Sequence, residues 1–283
     1  MIGDLHLHTT RSDGSCSKEQ LFRLAHAAGM GFLAITNHDD LEDFPQFAQS
    51  RDLAAQYGLE LLHGVEISSY DYRRGRRVHI LCYGPQELQL VKRFCDQTAA
   101  RRMEAGLEMA RLVAQRYPVT LEEIREIAGE SNSIFKQHIM YALMQAGYAT
   151  EMYGPLWKEL FDFKTGSCIR ECIQPDVWEV VRAVRASKGV CVMAHPYTYR
   201  SLDVLDELIA AGMLDGIEVW TSKADEKQTE YLLKLAEKHS LIPTGGSDFH
   251  GANGSRVSPI GCSPTPEESY RKILEMIEKR WGE

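Results

Sequence analysis

No apolar run in the sequence approaches the roughly 20 residues that a membrane-spanning helix requires. There is also no internal repeat and no low-complexity tract. Basic excess is missing: 32 Lys and Arg stand against 40 Asp and Glu, a net charge of −8. The bulk field of such a chain gives no help in binding nucleic acid, so an acidic ligand needs a local positive charge, such as a bound metal. A cysteine framework is missing as well. The seven cysteines are odd in number and irregularly spaced, and nothing near Cys168 and Cys172 completes a zinc knuckle. Reduced, mostly structural thiols are expected. The few residues before His6 are too short and too polar for a signal peptide, so a cytoplasmic location is the default expectation.

What is present suits a globular α/β protein. The 283 residues are 44% hydrophobic and 25% charged, enough for a sizeable core in one large domain or two smaller ones. "DLHLH" alternates as a strand does, and Ser17 with Gln20 marks a capping box before "LFRLAHAAG". "FLAIT", "LELLHGVEIS" and "RVHILCY" read as further strands, the last two joined by a hairpin turn at Gly75. From about Pro85 to Ser187 helical patterns dominate, beginning with one or two helices that stop before Pro118. Strand–helix alternation resumes with "VCVMAH", "GIEVW" and "LIPTGG". Repeated βα units with about seven strands suggest a parallel barrel, with an open doubly wound sheet as the other possibility.

Histidines and carboxylates gather at the ends of these strands, where a barrel builds its active site. His6 and His8 are two apart on one strand and share a face. Asp13 follows in the loop, His38 and Asp39 end the second strand, and Glu66 lies near the end of the third. His79, His195, Glu218, Asp248 and His250 fall at the remaining strand ends, and His138 lies in the helical region. Of ten histidines, only His26, His63 and His239 fall outside this pattern, as surface or packing residues. Buried carboxylates without partners are costly, and metal ions relieve that cost. Imidazole and carboxylate together suit Zn²⁺, Mn²⁺ or Fe²⁺. The candidate ligands are His6, His8, His38, His79, His138, His250, Asp13, Asp248 and Glu66. They are too many for one ion and suit two or three ions sharing a bridging carboxylate.

The segments "DLHLHTTRSDGS", "AITNHDD", "GVEIS", "VHILCYG", "MAHP" and "PTGGSDFHG" occur in the order found in the PHP (polymerase and histidinol phosphatase) superfamily, which the chain resembles over nearly its whole length. The layout is most similar to the branch of metal-dependent phosphoesterases that holds RNase AM-like enzymes and nucleoside 3′,5′-bisphosphate phosphatases. The resemblance implies a distorted (β/α)7 TIM-like barrel over residues 1–84 and 189–283. Residues 85–188 would form a mostly helical insertion that contributes a metal ligand. It also implies a trinuclear centre. His6, His8, Glu66 and Asp248 would hold one metal, and Glu66 would bridge to a second held also by His79 and His138. Asp13, His38 and His250 would hold the third. His195 would meet the substrate phosphate or act as general acid. Asp39 and Glu218 would orient ligand histidines from behind.

The activity so implied is hydrolysis of phosphomonoesters, of AMP or nucleoside 3′,5′-bisphosphates, or of short oligonucleotides, by metal-activated hydroxide with Glu66 and Asp248 at its centre. Histidinol-phosphate phosphatase is the alternative within this chemistry. A metal-stabilised domain that binds nucleotide or a partner without turnover is the alternative outside it. The chain departs from its relatives in two places. Asn37 replaces the aspartate of "T-D-H-D", and Lys136 and Gln137 replace the first two residues of "R-P-H-I". Lysine can hold phosphate as a point charge but lacks the guanidinium fork. Lys136, with Arg73 or Arg74 from "YDYRRGRR", is a candidate for a remote phosphate or base, although those arginines also suit a solvated turn.

Overall fold

In a computed structural model that describes residues 1–282, the strands form one sheet in the order β7-β6-β5-β4-β3-β2-β1-β8. They are β1 (Ile2–Leu7), β2 (Phe32–Ile35), β3 (Glu60–Asp71), β4 (Arg76–Tyr83), β5 (Val190–Met193), β6 (Gly216–Thr221), β7 (Ile242–Gly246) and β8 (Thr265–Pro266). The sheet curls until its ends nearly meet. β8 pairs antiparallel with β1, and Thr265 Oγ1 both accepts from Gly245 N at 2.8 Å and donates to Gly245 O at 2.6 Å. Past β7, His8 N donates to Phe249 O at 3.0 Å. The result is a nearly closed, TIM-like barrel.

The expected TIM-like barrel is present, and its reversed strand, β4, follows the hairpin turn expected at Gly75. β1, β2 and β3 are parallel neighbours, as are β5, β6 and β7, but β4 is antiparallel to both β3 and β5. The short turn at Gly75 (φ 67°) returns the chain directly, with no crossover helix to reverse it. This decides where His79 lies. On a reversed strand, the early residues stand at the carboxyl ends of the other strands, and His79 pairs with Ser68, two residues beyond Glu66.

Helices α1 (Lys18–Ala27) and α2 (Phe44–Ala55) cover the first βα units, each opened by a capping box, at Ser17 and Asp43. α3 (Leu88–Ala114) is a single helix of 27 residues. α4 (Leu121–Ala128), α5 (Lys136–Gln145) and α6 (Pro155–Phe161) follow, then α7 (Val177–Ala186). α8 (Leu202–Ala210), α9 (Glu226–Lys238) and α10 (Glu267–Gly282) complete the barrel layer. The segment 85–188, expected as a helical insertion, contributes to two cores. Its separate core runs from Met109 to Cys168, whereas Leu88, Val91 and Phe94 of α3 and Val177, Val180 and Val184 of α7 pack into the barrel core. The apolar faces of these segments therefore divide α3 between two cores. All seven cysteines are free. No described helix is long and apolar enough to cross a membrane.

Candidate metal centre

β1 is the floor of the site. His6 and His8 are both fully buried, because alternate residues of this strand point into the closed barrel end. Gly246 of β7 packs against them so closely that a Cβ there would lie 2.2 Å from His6 Cβ and 2.7 Å from Glu218 Oε1. Glu66, also fully buried, stands at the centre. Its Oε2 lies 3.1 Å from His6 Nε2, 3.3 Å from His8 Nε2 and 3.0 Å from His38 Nδ1. Its Oε1 lies 2.7 Å from His79 Nδ1 and 2.9 Å from His195 Nε2. Asp248 Oδ1 faces His8 Nε2 at 3.2 Å and His6 Nε2 at 3.5 Å. Asp13 Oδ1 is 3.2 Å from His250 Nε2.

Ligand-type atoms come together in overlapping groups: His6, His8, Glu66 and Asp248; His8, Asp13, His38 and His250; His38, Glu66 and His79; and His6, His195 and Glu218. Many of these atoms are buried without a hydrogen-bond partner: His6 Nε2, both ring nitrogens of His8, Asp13 Oδ1, His38 Nδ1 and Glu66 Oε2. Orphaned lone pairs of nitrogen and oxygen converging in one buried place fit divalent metal ions. Glu218 belongs to the support of this cluster. Its Oε1 accepts from His6 Nδ1 at 2.8 Å and its Oε2 from His195 N at 2.7 Å, which turns His6 Nε2 toward Glu66 and Asp248.

The charges respond strongly to one another. Burial opposes ionisation of Glu66, but His6, His38 and His79 hold its carboxyl well below the usual range. Burial likewise opposes ionisation of Asp248, and Lys223, His6 and His250 outweigh it. Burial opposes protonation of His6, yet Glu66, Glu218 and Asp248 raise it well above an ordinary imidazole. His250 is raised to about 9, burial being outweighed by Asp13 and Asp248. His38 moves the other way, to about 4, because burial there wins over Glu66 and Asp13. Asp39, His195 and Asp248 adopt positive backbone φ angles (51°, 24° and 52°), unusual for non-glycine residues; Lys188, Arg200 and Ser240 do so away from the cluster.

Two expected ligand roles change places. His138 joins none of the groups among the described residues. It is the third residue of α5, and its Nδ1 folds back to accept from Phe135 N at 3.2 Å, capping its own helix. His195 stands on Glu66 Oε1 beside His79, in the position expected of His138. α5 reaches the cluster through Gln137, whose Nε2 donates to Asp13 Oδ2 at 3.2 Å and to Tyr153 Oη at 3.3 Å. Asp39 orients no histidine. Its carboxylate accepts from Ser68 N at 3.0 Å and from Arg102 Nη2 at 2.6 Å. His63 is a packing residue, bonded to Glu42 O at 2.9 Å and stacked on Phe47.

Two cavities open from the cluster. One of about 170 Å³ runs past Asp248, His250 and Tyr199 to Lys223, Ser255 and Arg256. The other, about 340 Å³, runs past Asp13, His38 and His79 to Arg77, Arg102, Lys136 and Trp157. Arg73 and Arg74 reach neither cavity. Arg73 pairs with Glu207 at 3.3 Å, and Arg74 with Asp71 at 2.9 Å, Asp203 at 3.2 Å and Glu207, as a charged turn against α8. Arg77 is the arginine of that tract that lines the cleft. It lies two residues before His79 on β4, so the rule that alternate residues share a face could have identified it. Lys136 lies over Trp157, 5.9 Å from its ring centre, and Arg77 lines the same cavity. Burial, then Arg77, bring its ammonium down to about 8. Arg102 Nη1 is buried without a partner.

Comparison with known proteins identifies the family and the fold. The sequence model of the PHP domain family fits residues 4–97. A phosphoribosyl 1,2-cyclic phosphate 1,2-diphosphodiesterase of Eggerthella lenta is 37% identical over 263 residues, 92% of this chain and 98% of that one. The 5′-3′ exoribonuclease Rnm of Escherichia coli is 30% identical over 262 residues, 88% of this chain and 85% of that one. Among solved structures, a protein from Bifidobacterium adolescentis described as a metal-dependent phosphoesterase superimposes with a TM-score of 0.85 at 29% identity, covering 96% of this chain and 95% of that one.

Proposed function

Since the chain belongs to the PHP domain family and is a metal-dependent phosphoesterase, we propose that it hydrolyses a phosphate ester of a ribose-based compound that carries a second phosphate. The observation that carries the substrate class is the pair of cations beside the cluster. Lys136 and Arg77 both line the larger cavity, close enough for Arg77 to lower the ammonium's pKa, and neither has a carboxylate partner among the described residues. Adjacent unpaired cations repel, and a bound anion relieves the repulsion. Arg102 Nη1 offers a further donor there, and the Trp157 and Phe135 rings back Lys136 and Arg102 rather than face the cavity free. The relatives' names favour the same class. One acts on a phosphoribosyl cyclic phosphate and the other on RNA, both of which are ribose phosphates with more than one phosphorus.

In this reading His6, His8, Glu66 and Asp248 hold one divalent ion. Asp13, His38 and His250 hold another, and His79 and His195 with Glu66 hold a third. Zn²⁺, Mn²⁺ and Fe²⁺ all suit the donor set. Such ions supply Lewis acidity toward phosphoryl oxygens and lower the pKa of a water at neutral pH. The chain's own residues do the rest. Glu218 fixes the tautomer of His6, and Gln137 fixes the rotamer of Asp13. Lys136, Arg77 and Arg102 anchor the phosphate that does not react, so that the other lies over Glu66. Nucleoside monophosphates and histidinol phosphate lack that second anchor and serve as comparison substrates.

The test is a panel assayed for hydrolysis by the Mn²⁺-, Zn²⁺- and Fe²⁺-loaded protein, read as inorganic phosphate from the monoesters and, by chromatography, as ring-opened monoester or released nucleotide from the diesters. It holds phosphoribosyl 1,2-cyclic phosphate, adenosine 3′,5′-bisphosphate, AMP, a short 5′-phosphorylated RNA and histidinol phosphate. Substrates with a second phosphate are expected to lead in kcat/KM by at least about tenfold, the worth of one charge-assisted contact. Lys136→Met is expected to remove that preference through KM while sparing p-nitrophenyl phosphate. Equal rates across the panel, or a Lys136→Met protein with an unchanged preference, would overturn the reading.

A further inference from the structure

The smaller cavity has a cation that none of this chemistry uses. Lys223 follows β6, and its ammonium contacts Asp248 Oδ2. Asp248 thereby divides its two oxygens. Oδ1 faces His8, His6 and His250 at 3.2, 3.5 and 3.5 Å, while Oδ2 faces the lysine. A cation held through Oδ1 leaves the contact with Lys223 intact. An ammonium has three N–H donors, and among the described residues only Asp248 accepts from this one. The remaining donors border the cavity of about 170 Å³ that also opens onto His195, Tyr199 and His250.

The loop that carries Lys223 is fixed in place. Ser222 Oγ lies 2.8 Å from Ser258 Oγ, which joins the loop after β6 to the loop after β7. The side chain keeps only 25% of its surface exposed. Four carboxylates, Asp13, Glu66, Glu218 and Asp248, crowd a site that must accept an anion. Lys223 is a fixed positive charge in direct contact with that crowd.

We propose that Lys223, anchored by Asp248 Oδ2, binds a non-bridging oxygen of the reacting phosphoryl group from the wall of the smaller cavity, whereas Lys136 and Arg77 line the larger one. Charge spreads over those oxygens in the transition state of phosphoryl transfer, and a preorganised cation stabilises it there. A lysine serves this purpose as a point charge and needs no planar partner. The proposal concerns the phosphoryl group that reacts, so it holds whatever anchors the rest of the substrate.

The experiment compares wild type, Lys223→Met and Lys223→Arg after loading with Mn²⁺. It reads metal content, the dissociation constant of inorganic phosphate by calorimetry, and kcat/KM for p-nitrophenyl phosphate, which has no second phosphate. In Lys223→Met, metal content is expected to be unchanged and phosphate to bind at least about tenfold more weakly. kcat/KM is expected to fall about 10²-fold, the usual loss for one transition-state donor. Lys223→Arg is expected to restore most of the phosphate binding. Unchanged phosphate binding in Lys223→Met would mean that the lysine only balances the charge of Asp248, and would overturn the proposal. Loss of metal in Lys223→Met would overturn it too, because the lysine would then be a support for the ligand set.

Discussion

Glu66 receives four imidazoles within 3.3 Å on its two oxygens and a fifth, His195, on the same oxygen as His79, so the site's behaviour follows from individual protons. Without metal, the surrounding carboxylates favour the protonated form of His250, raised to about 9, and of His6, raised well above its ordinary value. A metal needs each imidazole neutral, so binding must expel those protons, and apparent affinity must climb as pH rises toward 9. Calorimetry of Mn²⁺ binding at pH 7 in two buffers of different ionisation enthalpy is expected to show release of about two protons per chain. His195→Ala is expected to lose metal and activity together, whereas His138→Ala keeps its metal and loses only a helix cap, about 1 kcal/mol by thermal unfolding. Glu218→Gln is expected to weaken metal binding by about 10- to 100-fold, since Glu218 orients His6. Most of this cluster was legible in the sequence because strand ends and the two-residue rule fix where side chains go. His138 and His195 were exchanged because a resemblance carries order along the chain, and a histidine three residues into a helix can turn back on its own backbone. Gln137 left no signal, as an amide there has no chemistry that its neighbours advertise.

At the scale of elements, the reversal of β4 does the most. It brings both His79 and Arg77 to the open end of the barrel, on a strand whose late residues would otherwise have held the site. The hairpin turn at Gly75 was visible in the sequence and already implied that "RVHILCY" runs antiparallel to the strand before it; what it does to the placement of His79 and Arg77 needed the register. The close approach of β7 to β1 is a second constraint. Gly246→Ala would set a methyl 2.2 Å from His6 Cβ, so β7 or His6 must shift. The variant is expected to bind Mn²⁺ at least about tenfold more weakly, because a displacement of that size takes a ligand beyond bonding distance. A Gly246→Ala protein with wild-type metal content would show that the floor of the site is softer than described. The division of the helical segment between two cores escaped the sequence for a different reason. α3 is one continuous helix that serves two cores, and nothing in its periodicity marks where one core ends.

For the molecule as a whole, the cluster ties together both ends of the chain, from His6 on β1 to His250 after β7, with the insertion clasped on top. Tyr153 Oη donates to Asn253 O at 2.7 Å, and Asn253 Nδ2 donates to Asp13 O at 3.0 Å. Metal bound there holds the barrel's first and last units against each other, so folding and metal binding are linked. Metal at 100 times its dissociation constant is expected to stabilise the fold by about 2.7 kcal/mol, a rise of a few degrees in Tm that chelation reverses. The barrel and its active end were legible because βα alternation and clustered ligands are long-range patterns. The two cavities were not, because their shape depends on how the insertion lies over the barrel. The measurement that tests the central claim most directly is product release from two substrates: inorganic phosphate from adenosine 3′,5′-bisphosphate and the ring-opened phosphomonoester from phosphoribosyl 1,2-cyclic phosphate. It compares metal-stripped and Mn²⁺-reloaded protein, beside an Asp248→Ala variant of known metal content. The account predicts release only after reloading, and loss of both metal and release in the variant. Release that persists under chelation, or an active and metal-replete Asp248→Ala protein, would contradict it.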